Sequence, residues 1–372
     1  MSSNKPKILM IGQENLARGG IQNVIMSIIR SFSEEYIFDV VLLADEKKDY
    51  DDEFLSYGGR IFHSPTYQGS NNILKRADFY LRGNRLYNYT RKIIKENGPY
   101  QAIHCHASLE SAVFLKAAYK EKIPVRLVHS HGVHDMSNEN MIRRTIDHTY
   151  ISWMRRYATK LLGVSTGANL SHYGEVDALV VPPQYDEVFF NPELYPNQRS
   201  SNSLMITQVG QYCPNKNQIF SIKVLSEVIK IIPDAKLNFV GFDSIGYLPL
   251  MQKEIAILRL DDNVEFYPHD TNIPYLLSQT DAFLFPSYTE GFGIAAVEAQ
   301  AMGARCYVSD TVPKTTNCGG CTYLSIGSDP SEWAQIIIND YRNCSNDRSF
   351  DCSKYSSKVI KKLYQRLYIG EE

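Results

Sequence analysis

The chain has 372 residues, 44% apolar and 22% charged, which excludes a disordered or fibrous protein and is enough for two globular domains. Its formal net charge of −2, with 23 Lys+Arg against 19 Asp+Glu in residues 1–185 and 16 against 22 in 186–372, excludes nucleic-acid binding through a basic surface and leaves room for a smaller anionic partner. Seven cysteines, an odd number scattered from Cys105 to Cys352, make no disulfide framework. In chain order, short apolar runs alternate with helical patterns. Strands are predicted at Lys7–Ile11, Phe38–Leu43, Ala102–Cys105, Val125–His129 and Lys160–Val164, with a helix over Ile21–Phe32 whose apolar residues fall at 21, 24, 25, 28, 29 and 32. The rhythm restarts with strand Leu204–Gly210, helix Gln218–Ile231, strands Lys236–Gly241, Val264–Tyr267 and Asp281–Phe285, a helix after Gly293, and strand Arg305–Val308. A last helical stripe runs over Tyr355–Tyr368.

Continuous apolar strands separated by helices predict an α/β protein with doubly wound parallel sheets covered on both faces. The Pro-, Asn- and Ser-rich stretch from Val180 to Ser203 interrupts the pattern and marks a boundary. The expected organisation is a first Rossmann-like domain over 1–183, a linker over 184–203, a second such domain over 204–354, and a closing helix in 355–372. No apolar core of signal-peptide length follows Met1, and no run nears the roughly 18 apolar residues of a membrane-spanning helix. The expected location is therefore the cytoplasm.

The densest chemistry lies in Asp281–Met302. A strand breaks at Pro286, and a helix restarts after Glu290-Gly291-Phe292-Gly293, with Glu298 inside it. Free N–H groups at a helix N-terminus make an anion site, and glycines let a ligand approach the backbone. With a helical rise of about 1.5 Å per residue, the Cα atoms of Glu290 and Glu298 fall on the order of 10 Å apart. That spacing suits two grips on one extended ligand better than the acid/base pair of a glycosidase, whose carboxyl groups stand about 5 Å or roughly 6.5–9.5 Å apart.

Other features point the same way. Gly19-Gly20 leads a strand into the first helix, with neither dinucleotide nor P-loop spacing. The loop Gly210-Gln211 to Asn217 carries Lys216, which can neutralise phosphate charge. His104-Cys-His106 and His129-Ser-His131 each follow a strand, and their period-two spacing puts each pair on one face. They read either as histidines lining a polar cleft or as metal ligands, the latter extended by His134 and Asp135. Cys318-Gly-Gly-Cys321 is one CxxC with no second pair near it in sequence. Lys75–Lys92 and Arg143–Arg156 mix basic and aromatic residues and are candidates for an anionic membrane surface or for solvated helix faces.

Gly19-Gly20-Ile21, the two His-x-His pairs, Val209-Gly210 with Lys216-Asn217, Pro286-Ser287 with Glu290-Gly-Phe-Gly-Ile-Ala-Ala-Val-Glu298, the run from Glu298 to Gly303, and Ser309-Asp310-Thr311 together resemble the GT-B glycosyltransferases of family 4, especially bacterial capsule and exopolysaccharide enzymes. The likeness spans residues 7 to about 312. It implies two Rossmann-like domains facing a cleft, a closing helix that crosses back to the first domain, and sugar transfer from a nucleotide donor with retention of configuration and no bound metal or other cofactor. By that resemblance Glu290 and the backbone of Gly291, Phe292, Gly293 and Ile294 hold the donor sugar, Glu298 the ribose, and Lys216 the diphosphate. Gly19 and Gly20 approach the diphosphate from the other domain, and His106 sits by the reacting sugar. His106, Lys216 and Glu290 are the expected catalytic residues, and His104, His129 and His131 the acceptor-side candidates. The family usually has Arg where this chain has Gln211, which leaves Lys216 as the full positive charge of that loop. Its Gly-x-Gly is replaced by Gly241-Phe-Asp-Ser244.

The expected reaction moves a hexose or N-acetylhexosamine from a nucleotide sugar, most simply UDP-linked, to a carbohydrate or lipid-linked saccharide acceptor in surface polysaccharide synthesis. It takes place in the cytoplasm or at the inner face of the membrane, with no nucleic-acid partner. Competing readings are a sugar-nucleotide epimerase on the same scaffold, a metallohydrolase built on His129–His134, and a nucleotide-sugar sensor without turnover.

Overall fold

The computed structural model describes residues 5–64, 72–133, 141–195, 203–268, 270–343 and 348–371, and for residues 72–82 the backbone alone. The chain divides into two compact units: residues 1–184 with 357–372, and residues 185–356.

The first unit runs β1 (Lys7–Ile11), α1 (Gly20–Phe32), β2 (Ile37–Leu42), α2 (Asp51–Ser56), β3 (Ile61–His63), α3 (Asn72–Asn97), β4 (Ala102–Cys105), α4 (Ser111–Lys120), β5 (Val125–Ser130), α5 (Met141–Tyr157), β6 (Lys160–Gly163), α6 (Thr166–Tyr173) and β7 (Leu179–Val180). Its strands form a seven-stranded sheet in the order β3-β2-β1-β4-β5-β6-β7. Every pairing is parallel, for example Ile8 opposite Phe38 and Ala102. The second unit runs β8 (Met205–Val209), α7 (Gln218–Val228), β9 (Lys236–Gly241), α8 (Leu248–Leu258), β10 (Val264–Pro268), α9 (Ile273–Ser278), β11 (Ala282–Phe285), α10 (Ile294–Ala301), β12 (Arg305–Ser309), β13 (Cys321–Leu324) and α11 (Pro330–Asn343). Its six-stranded sheet is ordered β10-β9-β8-β11-β12-β13, again all parallel.

The reason for parallel sheets lies in the strands. Ile8–Ile11, Ala102–Cys105 and Ala282–Phe285 are buried on both faces, so apolar side chains point both ways and helices must cover both sides. Helix α1 buries Val24, Ile25, Met26, Ile28, Ile29 and Phe32, the stripe its periodicity predicts. Helix α7 stops at Val228, short of the expected Ile231. The chain tightens there through Ile231 N–H to Val228 O, because Pro233 disfavours a helical residue before it. The edge strands β3, β7 and β13 have no counterpart among the predicted strands; they are only three, two and four residues long and offer no apolar run to read.

The helix at the end of the sequence, α12 (Ser357–Ile369), belongs to the first unit. Its Ile360, Tyr364, Leu367 and Tyr368 join a core with Phe32, Tyr36 and Phe38. The Tyr368 ring meets Phe32 and Tyr36 edge-on at 5.7 Å each. Tyr355, expected at the start of this helix, stays in the second unit, its ring 5.1 Å from Phe292. Part of the stretch read as a linker is also structured there: Phe190 and Tyr195 pack on the second unit's core. Of the basic side chains in the two aromatic-rich segments, Arg91 pairs with Glu121, Arg143 with Asp147, and Arg155 donates to Tyr173 O. No described helix is long and apolar enough to cross a membrane.

Candidate active site

In a doubly wound sheet the loops at the carboxyl ends of the strands part where the strand order reverses, and ligands bind there. In the second unit that point lies between β8 and β11. The loop after β8 and the loop after β11 are tied together there. Tyr288 N–H donates to Asn215 O and Asn215 Nδ2 to Thr289 O, both at 2.9 Å. Lys216 Nζ forms an ion pair with Glu290 Oε1 and stands 5.1 Å from the centre of the Phe285 ring. The lysine backbone is pinned by Gln208 Nε2 donating to Lys216 O at 2.7 Å. Asn217 then takes a left-handed conformation, φ 54°, to start α7, one of the few residue types that adopts it readily.

The Glu290–Ile294 turn is held from several sides. Gly293 has φ 97° and begins α10. A Cβ there would lie 3.0 Å from Phe285, so both backbone freedom and space call for glycine. Thr316 Oγ1 donates to Phe292 O at 2.5 Å, and Ser287 O accepts from Ser309 Oγ at 2.5 Å and Thr311 Oγ1 at 2.8 Å. Phe292 is buried against Tyr355, so only its backbone is offered to a ligand. Glu298 lies on α10, and loss of hydration lifts its carboxyl to about 8; near neutral pH it therefore carries a proton and can donate as well as accept. Gln211 donates through Nε2 to Ser244 Oγ, and its carbonyl accepts from Gln218 Nε2 at 2.9 Å. In the segment that replaces the family's Gly-x-Gly, Asp243 accepts from the N–H groups of Ile245, Tyr247 and Leu248, a carboxylate cap that organises the loop.

In the first unit the strand order reverses between β1 and β4. Gly19 caps α1 in extended conformation, and Gly20 is exposed with nothing within 4 Å of a Cβ. Beside it, β4 and β5 bring the two His-x-His pairs together. His104 and His129 stack at 5.7 Å and 8°, His129 and His131 at 4.5 Å, and His106 Nδ1 is 2.7 Å from His131 Nε2. The histidines expected to line a polar cleft are largely buried. His104, His106 and His129 are at most 1% exposed, and only His131 is partly accessible. Tyr368 OH lies 3.0 Å from His104 Nδ1; His129 Nε2 is 3.0 Å from Val181 O and its Nδ1 is 3.3 Å from Tyr364 OH. Burial pushes His129 down to about 4 and the other three well below the usual imidazole range, so all four are neutral. His134 and Asp135, the extension of the metallohydrolase reading, lie outside the described residues.

Sequence spacing brought out Lys216, Glu290, Gly293 and the histidines. It missed Asn215 and Thr316, whose side chains donate to the backbone carbonyls of Thr289 and Phe292, and Tyr364 and Tyr368, which arrive from α12. It also missed that Cys306 sits opposite Cys321 in register on β12 and β13. Both are free thiols, Cys306 Sγ donating to Ala296 O at 3.4 Å.

Two parallel-sheet α/β units, each with its chemistry at a strand-order switch, make this the GT-B fold. The Anabaena protein Alr3699/HepE, solved in complex with UDP, superposes with a TM-score of 0.76 over 97% of this chain and 98% of its own, at 16% identity. Residues 193–316 match the family model of glycosyl transferases group 1. Among relatives in sequence, a Bacillus subtilis (strain 168) protein named as a glycosyltransferase, EpsF, is 26% identical over 357 residues, 91% of this chain and 88% of its own length. The Escherichia coli UDP-Gal:alpha-D-GlcNAc-diphosphoundecaprenol alpha-1,3-galactosyltransferase is 25% identical over 312 residues, 78% of this chain and 76% of its own. The protein is a glycosyltransferase, with the group 1 domain in its second unit.

Proposed function

We propose that this enzyme moves a hexose or N-acetylhexosamine from a UDP-sugar to a carbohydrate or lipid-linked saccharide acceptor in bacterial surface polysaccharide synthesis, as a retaining transferase of family 4. The observation that carries the reading is the Lys216–Glu290 ion pair beside the Gly293 turn that opens α10. A diphosphate arriving at the first turn of α10 meets unpaired N–H groups and draws Lys216 from Glu290. The lysine then faces the charge that builds on the departing diphosphate, and the freed carboxylate can accept hydrogen bonds from the donor sugar. Glu298, which the family resemblance sets at the ribose, can donate as well as accept a hydrogen bond to one of its hydroxyls. Gln211 supplies an amide where the family usually has a guanidinium, so Lys216 carries the cationic role of that loop.

The neighbours solved with UDP and UDP-glucose support a UDP donor, and relatives named for undecaprenyl-diphosphate-linked acceptors support a lipid-linked one. Transfer would need no divalent metal, and the chain would work at the inner face of the membrane. The test is a thermal-shift screen of UDP-, GDP- and ADP-sugars followed by product analysis. Stabilisation by a UDP-sugar and transfer with retained configuration, unaffected by chelator, are expected. An isomerised donor with no acceptor-linked sugar would overturn the transferase chemistry in favour of an epimerase, and loss of activity to chelator would overturn the metal-free reading.

A further inference from the structure

Three buried imidazoles converge in the first unit, and we propose that His104, His106 and His129 bind one divalent transition-metal ion of the zinc type. One ring nitrogen from each lies within 4.8 Å of the other two. The partners of the opposite nitrogens decide which atoms are available. His129 Nε2 faces a carbonyl, Val181 O, at 3.0 Å; a carbonyl only accepts, so Nε2 carries the proton and Nδ1 keeps a lone pair, which would exchange its 3.3 Å contact with Tyr364 OH for the metal. His104 Nδ1 is bonded to Tyr368 OH at 3.0 Å and His106 Nδ1 to His131 Nε2 at 2.7 Å. The Nε2 atoms of His104 and His106 are both buried and have no hydrogen-bond partner among the described residues.

Histidine ligands of metals are built this way, with the second nitrogen fixed by a carbonyl, a hydroxyl or another base. A buried imidazole nitrogen without a partner is costly, and a metal ion would satisfy both at once. The rings are neutral, the state a metal requires, and an all-imidazole set favours zinc-type ions over magnesium or calcium. Ligand nitrogens about 2.0–2.1 Å from zinc stand roughly 3.4 Å apart. The rings must therefore draw together by about 1 Å, which small rotations of the side chains allow. His131, partly accessible and stacked on His129, is the side from which an ion and its remaining water ligand would enter. The site uses none of Lys216, Glu290 and the α10 turn, but it does engage His106, expected beside the reacting sugar, so metal binding is read directly and not through transfer activity.

The test is titration of the untagged, chelator-treated full chain with Co²⁺, read by visible absorption and equilibrium dialysis. About one Co²⁺ per chain is expected, with d–d bands of a four- or five-coordinate nitrogen site, displaced by Zn²⁺. X-ray absorption of the zinc form should show three imidazoles at about 2.0 Å. His104→Gln and His129→Gln should each abolish the bands. His131→Gln, which leaves the three ligands in place, should weaken binding roughly 10- to 100-fold. No stoichiometric binding to wild type would overturn the proposal. So would unchanged binding in ligand variants whose circular dichroism is intact, or a sulfur-to-cobalt charge-transfer band assigning the ion to the cysteines.

Discussion

Lys216 and Glu290 answer each other's charge with side chains 23% and 10% exposed, so each changes what its neighbour costs. Lys216→Ala should lower transfer about 10²- to 10³-fold, the scale of losing one preorganised charge stabiliser, and leave Glu290 half-buried without a partner. Glu290→Ala should free the lysine for phosphate and show its loss mainly in the sugar-dependent step. The double variant should then be less impaired than the product of the single effects, and steady-state kinetics of the four proteins measures that coupling. Glu298 gives a separate signature. Its folded pKa of about 8 lies above the unfolded value of 4.5, so the folded state holds a proton that the unfolded state releases. Its contribution is fully present below pH 4.5 and is lost as pH rises through about 8. Melting curves of wild type and Glu298→Gln should therefore diverge with rising pH, the wild type becoming the less stable, at roughly 2–4 °C per kcal/mol.

At the scale of elements, the strand-turn-helix of β11 and α10 depends on one glycine. Gly293→Ala has to place a Cβ at φ 97° and 3.0 Å from Phe285. A loss of about 1–3 kcal/mol in a urea unfolding curve is expected, together with weaker UDP-sugar binding, because the first turn of α10 would move. This element was legible in the sequence because Pro286 and the Glu-Gly-Phe-Gly run break an apolar strand at one place. The central strands β1, β4 and β9 were legible to the residue, since both their faces are buried and their sequences are predominantly apolar. Of the edge strands only β10 was legible; β3, β7 and β13 are two to four residues long and carry no apolar run. Nor could spacing reveal that His104 bonds Tyr368, 264 residues away, or that Asn215 reaches Thr289. Such contacts are products of topology, and a period measured along the chain carries no trace of them.

For the whole molecule, α12 is the decisive segment. Removing residues 357–372 takes Ile360, Tyr364, Leu367 and Tyr368 from the first unit's core. At roughly 1.5–3 kcal/mol for each large buried side chain, the loss is comparable to the 5–15 kcal/mol that typically holds a domain folded. The two tryptophans allow this to be read unit by unit, Trp153 lying in the first and Trp333 in the second. In a Trp333→Phe background, truncation should red-shift the emission of Trp153. In a Trp153→Phe background the emission of fully buried Trp333 should stay in place.

The same helix also sets a timetable. All strands of the first sheet have left the ribosome by Val180, yet the helix that covers Phe32, Tyr36 and Phe38 begins at Ser357. At synthesis rates of about 5–20 residues per second, the intervening unit takes roughly 9–35 s to make, and for that time the apolar side chains that α12 covers lack that cover. Nascent chains halted before Ser357 should be captured by holdase chaperones and cut by protease within the first unit, and chains released after Ile369 should resist both. The second unit, whose strands and helices are contiguous in sequence, can close as soon as it emerges, so the half synthesised later is expected to be the one that finishes folding first.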